Sequence, residues 1–224
     1  MEITKGIVYY TDNRIDDRLA QKVRGYLTLI GLPIISVSLQ PIDFGQNIVL
    51  QLERSILTMF KQILVGLEAI DTDIVFFVEH DILYSKEHFE FTPLNKETYF
   101  YNQSSWMIRE SDGYAVQWLC QKVSQLCAYR DFLLKHYKER VKRVEMTGYS
   151  QRIGFEPGGG RSGYQIDKGK YDWFETTIPN LDIRHKYNLT SSRWNQNEFT
   201  NKRKCRGWKT SHLSKLPGWE GLIL

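Results

Sequence analysis

Apolar and polar positions change period several times along the chain. Ile7 to Tyr10 is a short β-branched and aromatic run closed by the polar cluster Thr11-Asp12-Asn13, which predicts a buried strand and its turn. From Asp16 the residues Leu19, Val23, Tyr26, Leu27 and Ile30 recur at helical spacing behind two acids, and Gly31-Leu32-Pro33 supplies the stop. Ile34 to Leu39 reads as a second buried strand. Leu52, Ile56, Met59, Phe60, Ile63, Leu64 and Leu67 mark a second amphipathic helix, and Asp73 leads into an apolar strand, Ile74 to Val78. This strand-helix-strand-helix-strand order predicts an α/β fold, with a mostly parallel central sheet covered by helices on both faces.

Beyond residue 85 the rhythm changes. Tyr99 to Asn102 and Trp106 to Arg109 predict a hairpin around Gln103 to Ser105. A long helix is expected from about Val116 to Val141, with Val116, Leu119, Cys120, Val123 and Cys127 as its buried stripe. A glycine-rich loop, Pro157 to Gly163, precedes another short strand, Leu181 to Arg184, which ends in His185. The loop satisfies G-x-G-x-x-G literally, yet it neither follows the first strand nor opens a clear helix, so the dinucleotide reading fails its context. A mobile lid is its functional reading and an ordinary flexible loop its plain one.

Composition adds little at first: 42% hydrophobic and 25% charged residues suit a globular domain. No apolar run is long enough to span a membrane and the start lacks a secretory pattern, which leads to the expectation of a soluble, cytoplasmic protein with no membrane partner. The three cysteines form no C-x-x-C pair, so no disulfide framework or zinc site is indicated. Charge is more telling. Between Ile183 and Pro217 nine Lys or Arg residues face one acid, Glu198, so that segment carries +8 and the remainder −4 of the net +4. A basic tail on a weakly acidic body suits a polyanion such as nucleic acid, although a solvated surface tail explains the same charges.

The chemistry concentrates where Ile74-Val75-Phe76-Phe77-Val78 runs into Glu79-His80-Asp81. In open α/β sheets ligands bind beyond the carboxyl ends of the strands, where this tripeptide and Thr11-Asp12-Asn13 both fall. Acids there ligate a hard cation, bond a ribose hydroxyl or exchange protons with substrate. Strand alternation would put Glu79 and Asp81 on one side and turn His80 to the other.

In this organisation the chain resembles the nucleotide-sugar-dependent glycosyltransferases of the GT-A fold, in which an Asp-x-Asp motif or a variant closes a buried strand. Glu79-His80-Asp81 is similar to that motif with Glu for the first Asp. The resemblance implies a GT-A-like domain over residues 1–190. Its nucleotide-binding half would span 1–85 and a smaller mixed α+β acceptor half 86–190, with a basic aromatic tail over 191–224 packing on the domain. It implies Asp81 and His185 as ligands of Mn²⁺ or Mg²⁺, and Glu79 reaching the ribose or a metal-bound water. Thr11, Asp12 and Asn13 would contact the nucleotide of a nucleoside diphosphate sugar, a UDP-sugar foremost. A nucleotidyltransferase, which uses a similar half-fold, stays open beside it.

An inverting transfer also needs a carboxylate to take the acceptor proton. Glu156 beside the glycine loop is the first candidate, followed by Glu175 and Asp172; a retaining transfer would need no such base. Tyr101, Asn102 and Trp106 would line an acceptor pocket if they do not simply pack in the core. In the tail, Arg203 and Lys204 lie among interleaved cations and aromatics that suit phosphates and exposed bases. Small glycosyltransferases of this kind act on hydroxymethylated bases in the DNA of bacterial viruses, which makes DNA the first acceptor to consider. The competing class is a non-catalytic nucleic-acid-binding domain whose function is the tail.

Overall fold

A computed structural model of the chain describes residues 2–150, 156–157, 170–188 and 207–224. The glycine-rich stretch 158–163 and the tail residues Arg203 and Lys204 lie outside the described residues.

The first half follows the predicted order: β1 (Lys5–Thr11), α1 (Asp17–Thr28), β2 (Ile34–Ser38), β3 (Gln46–Val49), α2 (Ile56–Ala69) and β4 (Ile74–Glu79). Both helices start where a side chain satisfies a free backbone N–H. Asp16 accepts from Arg18 N at 2.9 Å, and Ser55 Oγ accepts from Thr58 N at 3.0 Å. β1 lies between β2 and β4, parallel to both, and β3 extends the sheet as a short, half-exposed edge strand absent from the sequence expectation. Helix α2 sits so close to β1 that a Cβ on Gly66 would lie 2.5 Å from Val8 Cγ1, so only glycine fits that contact.

The second half adds β5 (Ile82–Leu83), a short helix α3 (Lys86–Glu90), β6 (Thr98–Asn102), β7 (Ser105–Arg109), β8 (Tyr114–Gln117), β9 (Leu126–Tyr129), α4 (Arg130–Thr147), β10 (Lys170–Phe174), β11 (Asn180–Arg184) and β12 (Lys209–His212). Two expectations are corrected. Residues 116–129 are not the first half of a helix, because Val116 belongs to β8 and Leu126 to Tyr129 form a central strand between β4 and β6. The helix begins only at Arg130. Three consecutive buried residues in a central strand, Leu126 to Ala128, show no period-2 alternation, so this segment imitates a buried helical stripe. Nor do Tyr99 to Asn102 and Trp106 to Arg109 pair as a hairpin, since β6 and β7 lie in different sheets.

The larger sheet has the order β10-β6-β9-β4-β1-β2-β3 and is mostly parallel, with only β9 antiparallel to its neighbours; the smaller runs β12-β8-β7-β11-β5. Helices cover both faces of the larger sheet, as expected of this α/β class. α2 and α4 pack Phe60, Ile63, Leu133 and Tyr137 against Val8, Val75 and Phe77. On the other face α1, through Leu19 and Val23, shares a core with Ile7, Phe76 and Val78, and with Ile108, Leu181 and Ile183 of the smaller sheet. The chain passes from the larger sheet to the smaller three times: from β4 to β5, from β6 to β7 and from β10 to β11.

A buried polar knot ties these crossings together. Asn180 Oδ1 accepts from Ser85 N at 3.0 Å, its Nδ2 donates to Gln125 Oε1 at 2.7 Å, and the amides of Asn180 and Asn102 both lie 3.2 Å from His88 Nδ1. Two amide donors at Nδ1 leave the ring proton on Nε2. Beyond the gap, part of the predicted tail is woven into the domain: β12 pairs with β8, and Trp219, buried, donates to Pro179 O at 2.7 Å.

Candidate metal centre

The first crossing builds the site. β4 ends at Glu79, the chain turns through His80 and Asp81, and it enters the smaller sheet as β5, antiparallel to β11. Ile183 N donates to Asp81 O at 2.9 Å, which fixes the end of β11 beside the turn and delivers His185 to Asp81. His185 Nε2 lies 3.4 Å from Asp81 Oδ2, and the rings of His80 and His185 are 6.1 Å apart. One ligand atom each from His80, Asp81 and His185 falls within 4.8 Å of the others.

The sequence expectation for His80 is therefore overturned. Alternation stops when the strand stops, and His80 turns into the cluster; it is Glu79 that is left out. The Tyr10 hydroxyl donates to Glu79 Oε1 at 2.8 Å, across the β1–β4 pairing that sets these two residues opposite each other. Burial and the nearby Asp81 charge push the Glu79 carboxyl up to about 8, so it keeps its proton at neutral pH.

Asp81 has the opposite character. Burial alone would raise its carboxyl, but His185, His80 and Arg184 outweigh burial and hold it below the ordinary value. Oδ2 accepts from Asn188 Nδ2 at 2.6 Å, while Oδ1, fully buried, finds no hydrogen-bond partner among the described residues. A buried anionic oxygen without a donor is costly, by about 1–3 kcal/mol or more. A cation removes that cost. Burial pushes His80 down despite the acids Asp81 and Asp12, which favours the neutral imidazole that a metal requires.

His185 fits with one adjustment. Its Nδ1 accepts from Tyr187 N at 3.3 Å, which puts the neutral ring's proton on Nε2, a second buried atom that makes no hydrogen bond among the described residues and faces Asp81 Oδ2 at 3.4 Å. An ion at Nε2 would move that proton to Nδ1 and give up one long hydrogen bond.

The predicted nucleotide contacts divide. Thr11 is buried with Oγ1 2.5 Å from His80 Nδ1. Asp12 accepts from Arg54 Nε, and Arg54 Nη2 in turn donates to Tyr187 O at 2.6 Å, linking the end of β1 to the segment after β11. Asn13, at φ 61°, accepts from Leu39 N and Gln40 N at 2.8 and 2.9 Å, so its side chain locks two loops together.

The acceptor and base candidates are not gathered here. Asn102 belongs to the His88 knot, Tyr101 donates to Glu156 Oε2 at 3.4 Å, and Trp106 packs against the shared core. Glu156 is buried in an ion pair with Arg140, Oε1 to Nη1 2.6 Å, whose guanidinium lies 4.2 Å from the Phe60 ring centroid. Asp172 and Glu175 are exposed, on or just after the edge strand β10, which β6 and β9 separate from β4. An acid the sequence reasoning passed over lies closer. Asp182, three residues before His185 on β11, is held by Arg184 at 3.4 Å and Lys122 at 3.9 Å, and its charge is felt at Glu79. Its only sequence signal was alternation with the buried Leu181 and Ile183.

No protein-family model matches the chain, and no curated protein does. Among solved structures, a glycosyltransferase involved in glycosylation of the major capsid of PBCV-1 shares 11% identity over 90% of this chain and 98% of the other, with TM-score 0.48. HddC from Yersinia pseudotuberculosis shares 10% over 80% and 93%, with TM-score 0.43. A Drosophila beta-1,4-galactosyltransferase 7 mutant in complex with manganese, UDP-Gal and xylobiose shares 12% over 66% and 63%, with TM-score 0.40. At these scores and identities the likenesses place the chain in no family and lend no residue a role.

Proposed function

We propose that the protein is a metal-dependent glycosyltransferase that moves a sugar from a nucleoside diphosphate sugar, a UDP-sugar first, to a hydroxyl acceptor. The observation that carries the reading is the buried Asp81 oxygen that has no hydrogen-bond partner among the described residues, set among two histidines beyond the carboxyl ends of β1 and β4. Asp81 and His185 would hold the ion. Bound there, a divalent cation neutralises the charge that develops on a leaving diphosphate.

The chain's own groups supply the rest. Asp12 and Thr11, at the end of β1, line the nucleotide side, with Arg54 fixing Asp12. Asp182 is the carboxylate best placed to take the acceptor proton, in place of Glu156, Glu175 and Asp172. It is buried on β11, three residues before His185. For the acceptor we propose DNA bearing hydroxymethylated bases, supported by the +8 segment between Ile183 and Pro217. Both substrates put the reaction in the cytoplasm.

The test is release of nucleoside diphosphate from a panel of nucleotide sugars, with manganese or EDTA, and with and without hydroxymethylated DNA. Metal-dependent release that Asp81→Ala abolishes supports the transferase, and stimulation by the modified DNA supports the acceptor. No release with any donor, together with salt-sensitive DNA binding unaffected by Asp81→Ala, would leave the binding-domain reading in its place.

A further inference from the structure

We propose that His80 is a third protein ligand of this centre, and that the resulting two-histidine, one-carboxylate set selects manganese, cobalt or zinc and rejects magnesium. The inference rests on the metal site of the preceding reading, but on neither its donor nor its acceptor.

The surroundings of His80 prepare one ring nitrogen for an ion. Thr11 Oγ1 accepts the Asn13 N–H at 2.9 Å and retains a lone pair for an Nδ1–H of His80, 2.5 Å away. Asp12 Oδ1, 3.7 Å from the same Nδ1, also favours a proton there. With Nδ1 protonated, the Nε2 lone pair is left for a metal. A histidine whose other nitrogen is bonded to a hydroxyl and faced by a carboxylate is the usual outer support of a ligating imidazole. The side chain is 12% exposed, so an ion can reach it.

Donor chemistry then decides the ion. Magnesium demands oxygen ligands in a regular octahedron and gains little from imidazole, whereas manganese, cobalt and zinc accept nitrogen readily. Asp81 is the one carboxylate of the three-residue group. Glu79, the acid that would make the set richer in oxygen, is turned away from it and accepts from the Tyr10 hydroxyl at 2.8 Å. What remains is a nitrogen-rich site with a single charge, poorly suited to magnesium.

The full chain, stripped with EDTA, is titrated with Co²⁺ and followed by its visible absorption, then challenged with competing ions. Zn²⁺ should displace Co²⁺ at comparable concentration and Mn²⁺ in modest excess, whereas Mg²⁺ in about 100-fold excess should not. His80→Ala should weaken Co²⁺ binding by at least about 10-fold and change the band positions, while circular dichroism stays that of the parent. His80→Asp, which supplies a second carboxylate, should admit Mg²⁺. Displacement of Co²⁺ by Mg²⁺ at concentrations like those of Mn²⁺, or an unchanged spectrum and affinity in His80→Ala, overturns the role of His80 and leaves a centre of Asp81 and His185 standing. Absence of binding by the parent chain, or binding that survives Asp81→Ala, overturns the metal site itself.

Discussion

The backbone N–H of Ile183 donates to the carbonyl of Asp81 at 2.9 Å, and this bond, which continues the β5–β11 pairing, brings His185 to the carboxylate it faces. The orientation of that carboxylate depends in turn on Asn188, whose amide donates to Oδ2 at 2.6 Å while its Oδ1 accepts from His185 N at 2.7 Å. Asn188→Ala should lower manganese affinity by about 10- to 100-fold, as loss of an outer-shell partner does. Isothermal titration checks it, with the melting temperature of the metal-free protein near that of the parent.

Glu156→Gln separates a structural acid from a catalytic one. Its partner Arg140 is buried, so removing the negative charge breaks a buried ion pair, and stability should fall by about 3–5 kcal/mol. Urea denaturation measures the loss. Below the new transition, nucleoside diphosphate release should match the parent, whereas Asp182→Asn should reduce turnover and leave metal affinity intact.

Glu79 gives the metal-free protein a definite pH dependence. Its carboxyl holds a proton up to about 8 when folded and only to the ordinary 4.5 when unfolded. Between those values folding takes up a proton, so stability is greatest at the acid end and falls as pH rises, by up to about 1.4 kcal/mol per unit. In Glu79→Gln, which keeps an acceptor for the Tyr10 hydroxyl, this slope should vanish. Denaturation across that window in EDTA provides the comparison.

His88 acts in the other direction. Burial pushes its ring down to about 3 from the usual 6.5, so below 6.5 the unfolded chain binds a proton that the fold refuses. Stability should fall as pH drops from 6.5 towards 3. His88→Phe should be less stable at every pH by about 1–3 kcal/mol, because the amides of Asn102 and Asn180 lose an acceptor, yet its curve should lack this acid slope. The same denaturation series reads both effects.

The parts of the fold that were legible in the sequence are those where one period persists. Leu19, Val23 and Leu27 face one core for three helical turns, and Ile74 to Val78 form a run that only a doubly covered strand requires. Residues 116–129 were misread because short central strands and buried helix stripes share the same apolar spacing. The β6–β7 crossing was hidden because sequence separation cannot tell a hairpin from a change of sheet. At the site, the end of the apolar run Ile74 to Val78 singles out Glu79, His80 and Asp81, whereas the ligand roles of Asp81 and His185 rest on the resemblance to glycosyltransferases. His80 was assigned to the wrong side by extending alternation one residue past Glu79, where the strand ends. Asn188 and Arg54 carry no pattern and Asp182 only its place between Leu181 and Ile183, because their roles come from pairings between residues distant in sequence.

The turn from β4 into β5 has a consequence for biosynthesis. His80 and Asp81 leave the ribosome well before His185, and β5 has no strand beside it until β11 is made. The cluster of His80, Asp81 and His185 can thus assemble only once β11 has been made and has joined β5.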